Sequence, residues 1–314
     1  MFWLAIALLC LVPAVQGATS DFAWCYHNTS CNDATWATNA PSYCNGSRQS
    51  PINIDSTKAT LDSNLKTFTF TKFDSKTALV KMENTGNTSK TYLWIKLSSD
   101  VGSGVTVSGG GLSEAYTVLQ FHLHWGNMAS TPGSEHTVDG TRYPMELHIV
   151  SIKSSYNQNV TAALKDSEGV AAFGFLIDVD TSTTGQPASW KTLTTLLSQI
   201  TQKGQAIDPL SVSVSVDDLV PANNLKSFYR YLGSLTTPNC EEAVVWTVFK
   251  QPVKVSKDLI DLFSTTVRVG DASSPYMMNT YRNIQPALTV THNSSPKTSL
   301  SFGLLLLALA LWMS

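Results

Sequence analysis

The sequence predicts one mainly β domain of the α+β class. Three observations carry that prediction. Strand-like runs recur along most of the chain, only two stretches keep a helical period, and glycine-rich turns separate the runs. The strand-like runs are 78–82, 92–97, 118–125, 145–152, 171–179, 211–216 and 243–249. Several alternate apolar with polar residues, the period of a strand with one buried face, and 211–216 does so most cleanly. In 189–201 Trp190, Leu193, Leu196, Leu197 and Ile200 share one helix face. A second helix follows Ser256, the expected N-cap, and carries Leu259, Ile260 and Phe263. Gly109-Gly110-Gly111 marks a turn.

The two ends read differently from the middle. Residues 1–17 are a short apolar run ending in small residues, the pattern of a secretory signal peptide. At the other end a polar spacer precedes an apolar tail that ends the chain without basic residues. This is the pattern of a GPI-attachment signal at 294–314, with Asn293 or Ser294 as the attachment residue. The expected mature domain is 18–293, on the outer face of the plasma membrane. Along a secretory route Cys25, Cys31, Cys44 and Cys240 form an even set in an oxidising compartment, and spacing alone leaves three pairings open. The same route makes the sequons at Asn28, Asn45, Asn87 and Asn159 glycosylation candidates.

Composition narrows the function classes. The 314 residues carry a net charge of −2, and only 14% are charged, against roughly 25% in an average domain. Such a balance lacks the basic face that nucleic acid requires. With 43% hydrophobic residues the chain can build a large core.

Four of the six histidines lie between residues 122 and 148. In a strand, Gln120, His122 and His124 point one way, while Phe121, Leu123 and Trp125 point to a core. Glu146 and His148 repeat the device in the next strand-like run. If those strands are neighbours, three imidazoles converge. Three neutral nitrogen ligands with one open position are the form of a catalytic zinc site. Gln120 and Glu146 are placed to hold the ligand rings by hydrogen bonds. His27 and His136 are expected to be structural. No H-E-x-x-H occurs, which removes the usual zinc-peptidase motif.

These residues, with Gln49-Ser-Pro-Ile-Asn-Ile54, Ser134-Glu-His-Thr-Val-Asp139 and Tyr231-Leu-Gly-Ser-Leu-Thr-Thr-Pro238, closely resemble the α-carbonic anhydrases over about residues 22–290. The cysteines and the C-terminal tail most resemble the membrane-anchored type IV and type XV branch. The resemblance implies a twisted, mostly antiparallel sheet of about ten strands with Zn2+ at the floor of a conical cleft. It implies that His122, His124 and His148 bind the metal. It implies reversible hydration of CO2 to bicarbonate and a proton. Thr236 would accept a hydrogen bond from hydroxide and donate one to Glu135, with Thr237 on the same polar side. Val150, Leu235, Trp246 and Ala172, the last often a larger valine in the family, would form the apolar wall for CO2. The branch pairs Cys25 with Cys31 and Cys44 with Cys240. Acid–base transporters of the same membrane are candidate partners.

One departure is informative. Fast family members carry a proton-shuttling histidine where this chain has Asn87, and an amide does not titrate near neutrality. Slower proton export is therefore expected, with Lys90 a poor substitute because of its high ordinary pKa. The rival reading is a non-catalytic cell-surface binding domain on the same fold. Relatives of that kind lose ligand histidines, and this chain keeps all three.

Overall fold

A computed structural model describes residues 24–39, 43–86, 93–97 and 104–293, with the backbone alone for 93–97. The expected signal peptide, Asn87, Lys90, Ser294 and the apolar tail lie outside the described residues.

The first strands in chain order are β1 (Asn53–Ile54), β2 (Thr60–Leu61), β3 (Phe68–Thr71), β4 (Leu79–Asn84) and β5 (Leu93–Leu97). Next come β6 (Thr106–Gly109), β7 (Tyr116–Trp125), β8 (Thr137–Val138), β9 (Thr141–Arg142) and β10 (Met145–Lys153). The last are β11 (Val170–Asp180), β12 (Ala206–Ile207), β13 (Phe228–Gly233), β14 (Val244–Ser256) and β15 (Thr291–His292). The helices are α1 (Asp33–Asn39), α2 (Val160–Ala163), α3 (Ala188–Thr195), α4 (Val216–Leu219) and α5 (Lys257–Thr266).

Mainly β architecture is what the sequence predicts, and it holds. Among the described residues twelve strands rather than ten make the large sheet, because short strands extend its edges. Its order is β12-β4-β5-β7-β10-β11-β14-β13-β15-β2, with β6 beside β7 and β3 beside β6. Most pairings are antiparallel, while β11–β14 and β15–β2 are parallel. A second, three-stranded sheet has the order β1-β8-β9.

The long central strands β7, β10, β11 and β14 are buried along most of their length. One face carries Phe121, Leu123, Ile149 and Phe173 into the main core, where Trp190 of α3 and Phe263 of α5 cover it. The opposite face carries Ala172, Trp246 and Tyr231 into a second cluster, against which Val150 and Leu235 pack. The turn after β6 needs its glycines, since Gly109, Gly110 and Gly111 all have positive φ, and a Cβ on Gly110 would meet the Phe68 ring.

One local expectation is corrected and one is borne out in position only. Among the described residues, 211–216 pair with no strand. Leu210 N bonds Val80 O, and Val214, Ser215 and Val216 are buried in succession without a ladder, Val216 already as the first residue of α4. Ser215 ends the segment by opening α4 in a capping box with Asp218. Ser256 occupies the N-cap of α5 but makes no cap bond with its side chain. Its hydroxyl instead accepts the Gln186 N–H at 3.0 Å. The 189–201 helix is α3 followed by a 3-10 turn, Leu196–Gln199. Trp190, Leu193, Leu197 and Ile200 are buried as that face requires.

Both disulfides follow the pairing that the resemblance implies, Cys25–Cys31 and Cys44–Cys240. The second closes 196 residues and fastens the segment between β13 and β14 to the N-terminal region. In a chain-entropy account such a closure stabilises by about 5 kcal/mol at most. Asn28, Asn45 and Asn159 are exposed. Asn293 is buried, its Oδ1 accepting the Phe228 N–H and its Nδ2 donating to Lys226 O, both at 2.8 Å.

Candidate metal centre and cleft

The three histidines meet because β7 and β10 are antiparallel neighbours with His148 opposite His122 and Glu146 opposite His124. Their ring centroids lie 4.6 to 5.2 Å apart, and the rings can offer nitrogen atoms within 4.8 Å of one another. Each ring is pinned through one nitrogen. Gln120 Oε1 holds His122 Nδ1 at 2.9 Å. The carbonyl of Thr280 holds His124 Nδ1 at 2.5 Å. Glu146 Oε1 holds His148 Nε2 at 2.8 Å. The other nitrogen of each ring is then the electron-pair donor, a set of two Nε2 atoms and one Nδ1.

Electrostatics favour the neutral, ligating form. Burial pushes His122 well below the ordinary histidine value, helped by the neighbouring rings of His124 and His148. Burial also lowers His124 to about 4 and lowers His148, against the pull of Glu146. For Glu146 burial alone would raise the pKa, but facing His136 and His148 reverses this and holds the carboxylate well below its usual range. Room for it comes from β11. Gly174 stands opposite His148, and a Cβ there would lie 2.7 Å from Glu146 Oε1. This donor set fits a tetrahedral zinc with one position left for water or substrate.

A second layer lies behind the ligands. Glu135 is fully buried, and its Oε1 accepts the Arg282 backbone N–H at 2.9 Å. Its Oε2 sits 3.4 Å from His124 Nε2 and 3.8 Å from His148 Nδ1. Burial raises Glu135 to about 7, opposed by His148, by the Thr236 hydroxyl and by the Arg282 N–H. His136 bonds Glu146 Oε1 through Nδ1 at 2.7 Å and meets the Tyr231 hydroxyl through Nε2 at 2.6 Å.

The cleft is a cavity of about 280 Å³ over this centre. Gln120, His122, His148, Thr236 and Thr237 give it a polar side. Leu119, Val150, Ile152, Ala172, Leu235 and Trp246 give it an apolar wall, and Val160 and Leu164 from the α2 segment line it too. The six substrate-contacting residues expected from the sequence all line this one cavity. Ala172 is placed by register, directly between Val150 on β10 and Trp246 on β14.

Two partners had no sequence signal. Thr280 and Arg282 act through a backbone carbonyl and a backbone N–H, which any residue type supplies. His136, Tyr231 and Ser50 form a buried cluster whose members lie far apart in sequence.

Fold and site together define a metal-dependent enzyme with a three-histidine centre beneath a half-apolar cleft. Comparison with known families makes this specific. The model of the eukaryotic-type carbonic anhydrases matches residues 31–291. Rabbit (Oryctolagus cuniculus) carbonic anhydrase 4 is 34% identical over 288 residues, 90% of this chain and 87% of its own. Human (Homo sapiens) carbonic anhydrase 12 is 31% identical over 90% of this chain and 77% of its own. Mouse (Mus musculus) carbonic anhydrase 15 is 33% identical over 86% of this chain and 80% of its own. The chain belongs to the eukaryotic-type carbonic anhydrase family, zinc-dependent enzymes that hydrate CO2.

Proposed function

We propose that this chain hydrates CO2 reversibly at the outer face of the plasma membrane, and that its proton export is slow. The observation that carries the catalytic part is the meeting of three pinned, neutral imidazoles at the floor of a cavity that Thr236 and an apolar wall line, with Glu135 buried behind them. His122, His124 and His148 would hold the zinc. When bound, it acts as a Lewis acid and makes hydroxide available at neutral pH.

The remaining work falls to this chain's residues. With its hydroxyl hydrogen turned to Glu135, Thr236 would have an oxygen that can only accept from the nucleophile. That acceptance fixes which lone pair faces the substrate. Val150, Ala172, Leu235 and Trp246 receive CO2, which has no net charge and little demand for hydrogen bonds. Thr237 offers a polar contact to the bicarbonate product.

The cell-surface part rests on sequence. The signal-peptide pattern at 1–17 and the tail at 294–314 support secretion and GPI attachment. Among the described residues no helix is long and apolar enough to cross a membrane. Glycans at Asn28, Asn45 and Asn159 are compatible with their exposure. Bicarbonate formed at such a site would be available to acid–base transporters of the same membrane. The slow export rests on Asn87 standing at the shuttle position.

Stopped-flow CO2 hydration by the purified mature protein, before and after zinc chelation, tests the catalytic part. Activity should vanish on chelation and return with zinc. Zinc-loaded protein without activity would instead favour the binding-domain reading. Release of the protein from cells by a phosphatidylinositol-specific phospholipase tests the anchor.

A further inference from the structure

Ser50 touches neither the cleft nor the three histidines, yet it is fully buried and every polar atom it has is used. Its N–H donates to Ser234 Oγ at 2.9 Å, and Ser234 N–H donates back to Ser50 Oγ at 3.0 Å. The Tyr231 hydroxyl donates to the same Oγ at 2.9 Å. The Arg282 guanidinium donates to Ser50 O at 2.8 Å.

Two routes run from these bonds to the metal centre. One leaves the hydroxyl through Tyr231 to His136 Nε2, from His136 Nδ1 to Glu146 Oε1, and from there to His148 Nε2, with no contact longer than 2.9 Å. The other leaves the carbonyl through Arg282, whose backbone N–H holds Glu135 Oε1. Ser234 ties the Ser50 end of both routes to the segment carrying Thr236. Its hydroxyl donates to Leu235 O, and its carbonyl accepts Trp246 Nε1–H. Burial keeps Tyr231 a phenol, whose single hydrogen serves the Ser50 contact. The approach is close enough to exclude a side chain at Gly233, where a Cβ would come within 2.2 Å of Ser50 Oγ and 2.6 Å of Tyr231 Cε2.

We propose that Ser50 is a shared positioning residue that couples the orientation of the third metal ligand, His148, to that of the Glu135–Thr236 pair. The proposal rests on His148 being a zinc ligand. Ser50→Ala keeps the backbone N–H and carbonyl but cuts the hydroxyl route and loosens Ser234. Tyr231→Phe cuts only the route to His148. Outer-shell partners of metal ligands typically change metal affinity 10- to 100-fold.

The test measures zinc loss into a chelator, and amide hydrogen exchange at residues 235–237 in zinc-free protein. Wild type should first bind one zinc per chain; failure there sinks the metal assignment itself, separately from the coupling. Tyr231→Phe should then speed zinc loss about tenfold and leave exchange at 235–237 unchanged. Ser50→Ala should raise both. In a Glu146→Gln background Tyr231→Phe should add nothing, because the route is already cut. Tyr116→Phe removes another buried tyrosine bond, its 2.6 Å donation to Glu168 O, and serves as the control. Unchanged zinc loss in Tyr231→Phe, full additivity with Glu146→Gln, or equal acceleration in Tyr116→Phe would each overturn the proposal. If Ser50→Ala does not fold, Tyr231→Phe and its cycle still decide.

Discussion

Arg282 grips Glu135 with its backbone N–H while its guanidinium donates to Cys44 O, Gln49 Oε1 and Ser50 O. The side chain therefore acts as an anchor and the main chain as the working donor. With Oε1 taken in this way, the second oxygen, Oε2, is the one that lies beside His124 and His148.

The first prediction concerns Thr236, the group proposed to act with Glu135. Thr236→Val keeps the volume and removes the hydroxyl. A preorganised hydrogen bond at a reacting oxygen is worth roughly 3 kcal/mol. CO2 hydration should fall roughly 100-fold in kcat/KM while zinc content stays at wild-type level. Full zinc with full activity would remove Thr236 from the mechanism.

Ala172 sets the width of the apolar wall between Val150 and Trp246. Ala172→Phe should fill the space that CO2 enters and reduce kcat/KM more than tenfold. Overpacking should also lower stability by about 1–3 kcal/mol. Ala172→Val should be tolerated much better. Steady-state hydration rates and thermal melts of the pair distinguish obstruction from unfolding.

Cys44 and Cys240 hold the N-terminal region to the segment before β14. Replacing both by serine should destabilise the fold by about 2–5 kcal/mol. Denaturant titration of the double variant, compared with wild type under oxidising conditions, measures it.

Acid should remove a specific surface contribution. Asp166 lies below its ordinary value of 3.8 because Lys153 bonds it, with help from the Glu168 N–H and the Tyr156 hydroxyl. A lowered carboxylate pKa stabilises the fold above the unfolded value and ceases to do so as pH falls through the native value. Asp166→Asn should therefore be less stable than wild type at pH 7. The gap should close as pH drops below about 3.8. Urea unfolding at several pH values gives the difference directly.

Asn87 gives the kinetic prediction. Imidazole buffer should raise the turnover of wild type, and Asn87→His should weaken that buffer dependence. Turnover indifferent to buffer concentration would dismiss slow proton export.

Much of this was legible in the sequence, for physical reasons. Period-two alternation put Gln120, His122 and His124 on one face and Phe121, Leu123 and Trp125 on the other, and the buried core includes all three of the latter. The same rule failed at 211–216. There Val214, Ser215 and Val216 are buried in succession, and no strand among the described residues supplies the partner backbone that a ladder needs. Ser256 is the N-cap as expected, but the N–H of Gln186, distant in sequence, takes its hydroxyl in place of the helix. Thr280 and Arg282 were beyond reach because their working atoms belong to the backbone.

Gly233 has a consequence for inherited or engineered variation. The space that a side chain would need is already occupied by Ser50 and Tyr231. In a deep mutational scan scored by activity, position 233 should therefore look like a ligand histidine, intolerant of even alanine. A survey of variant effects would rank it among the chemistry, although what it contributes is room for two other residues.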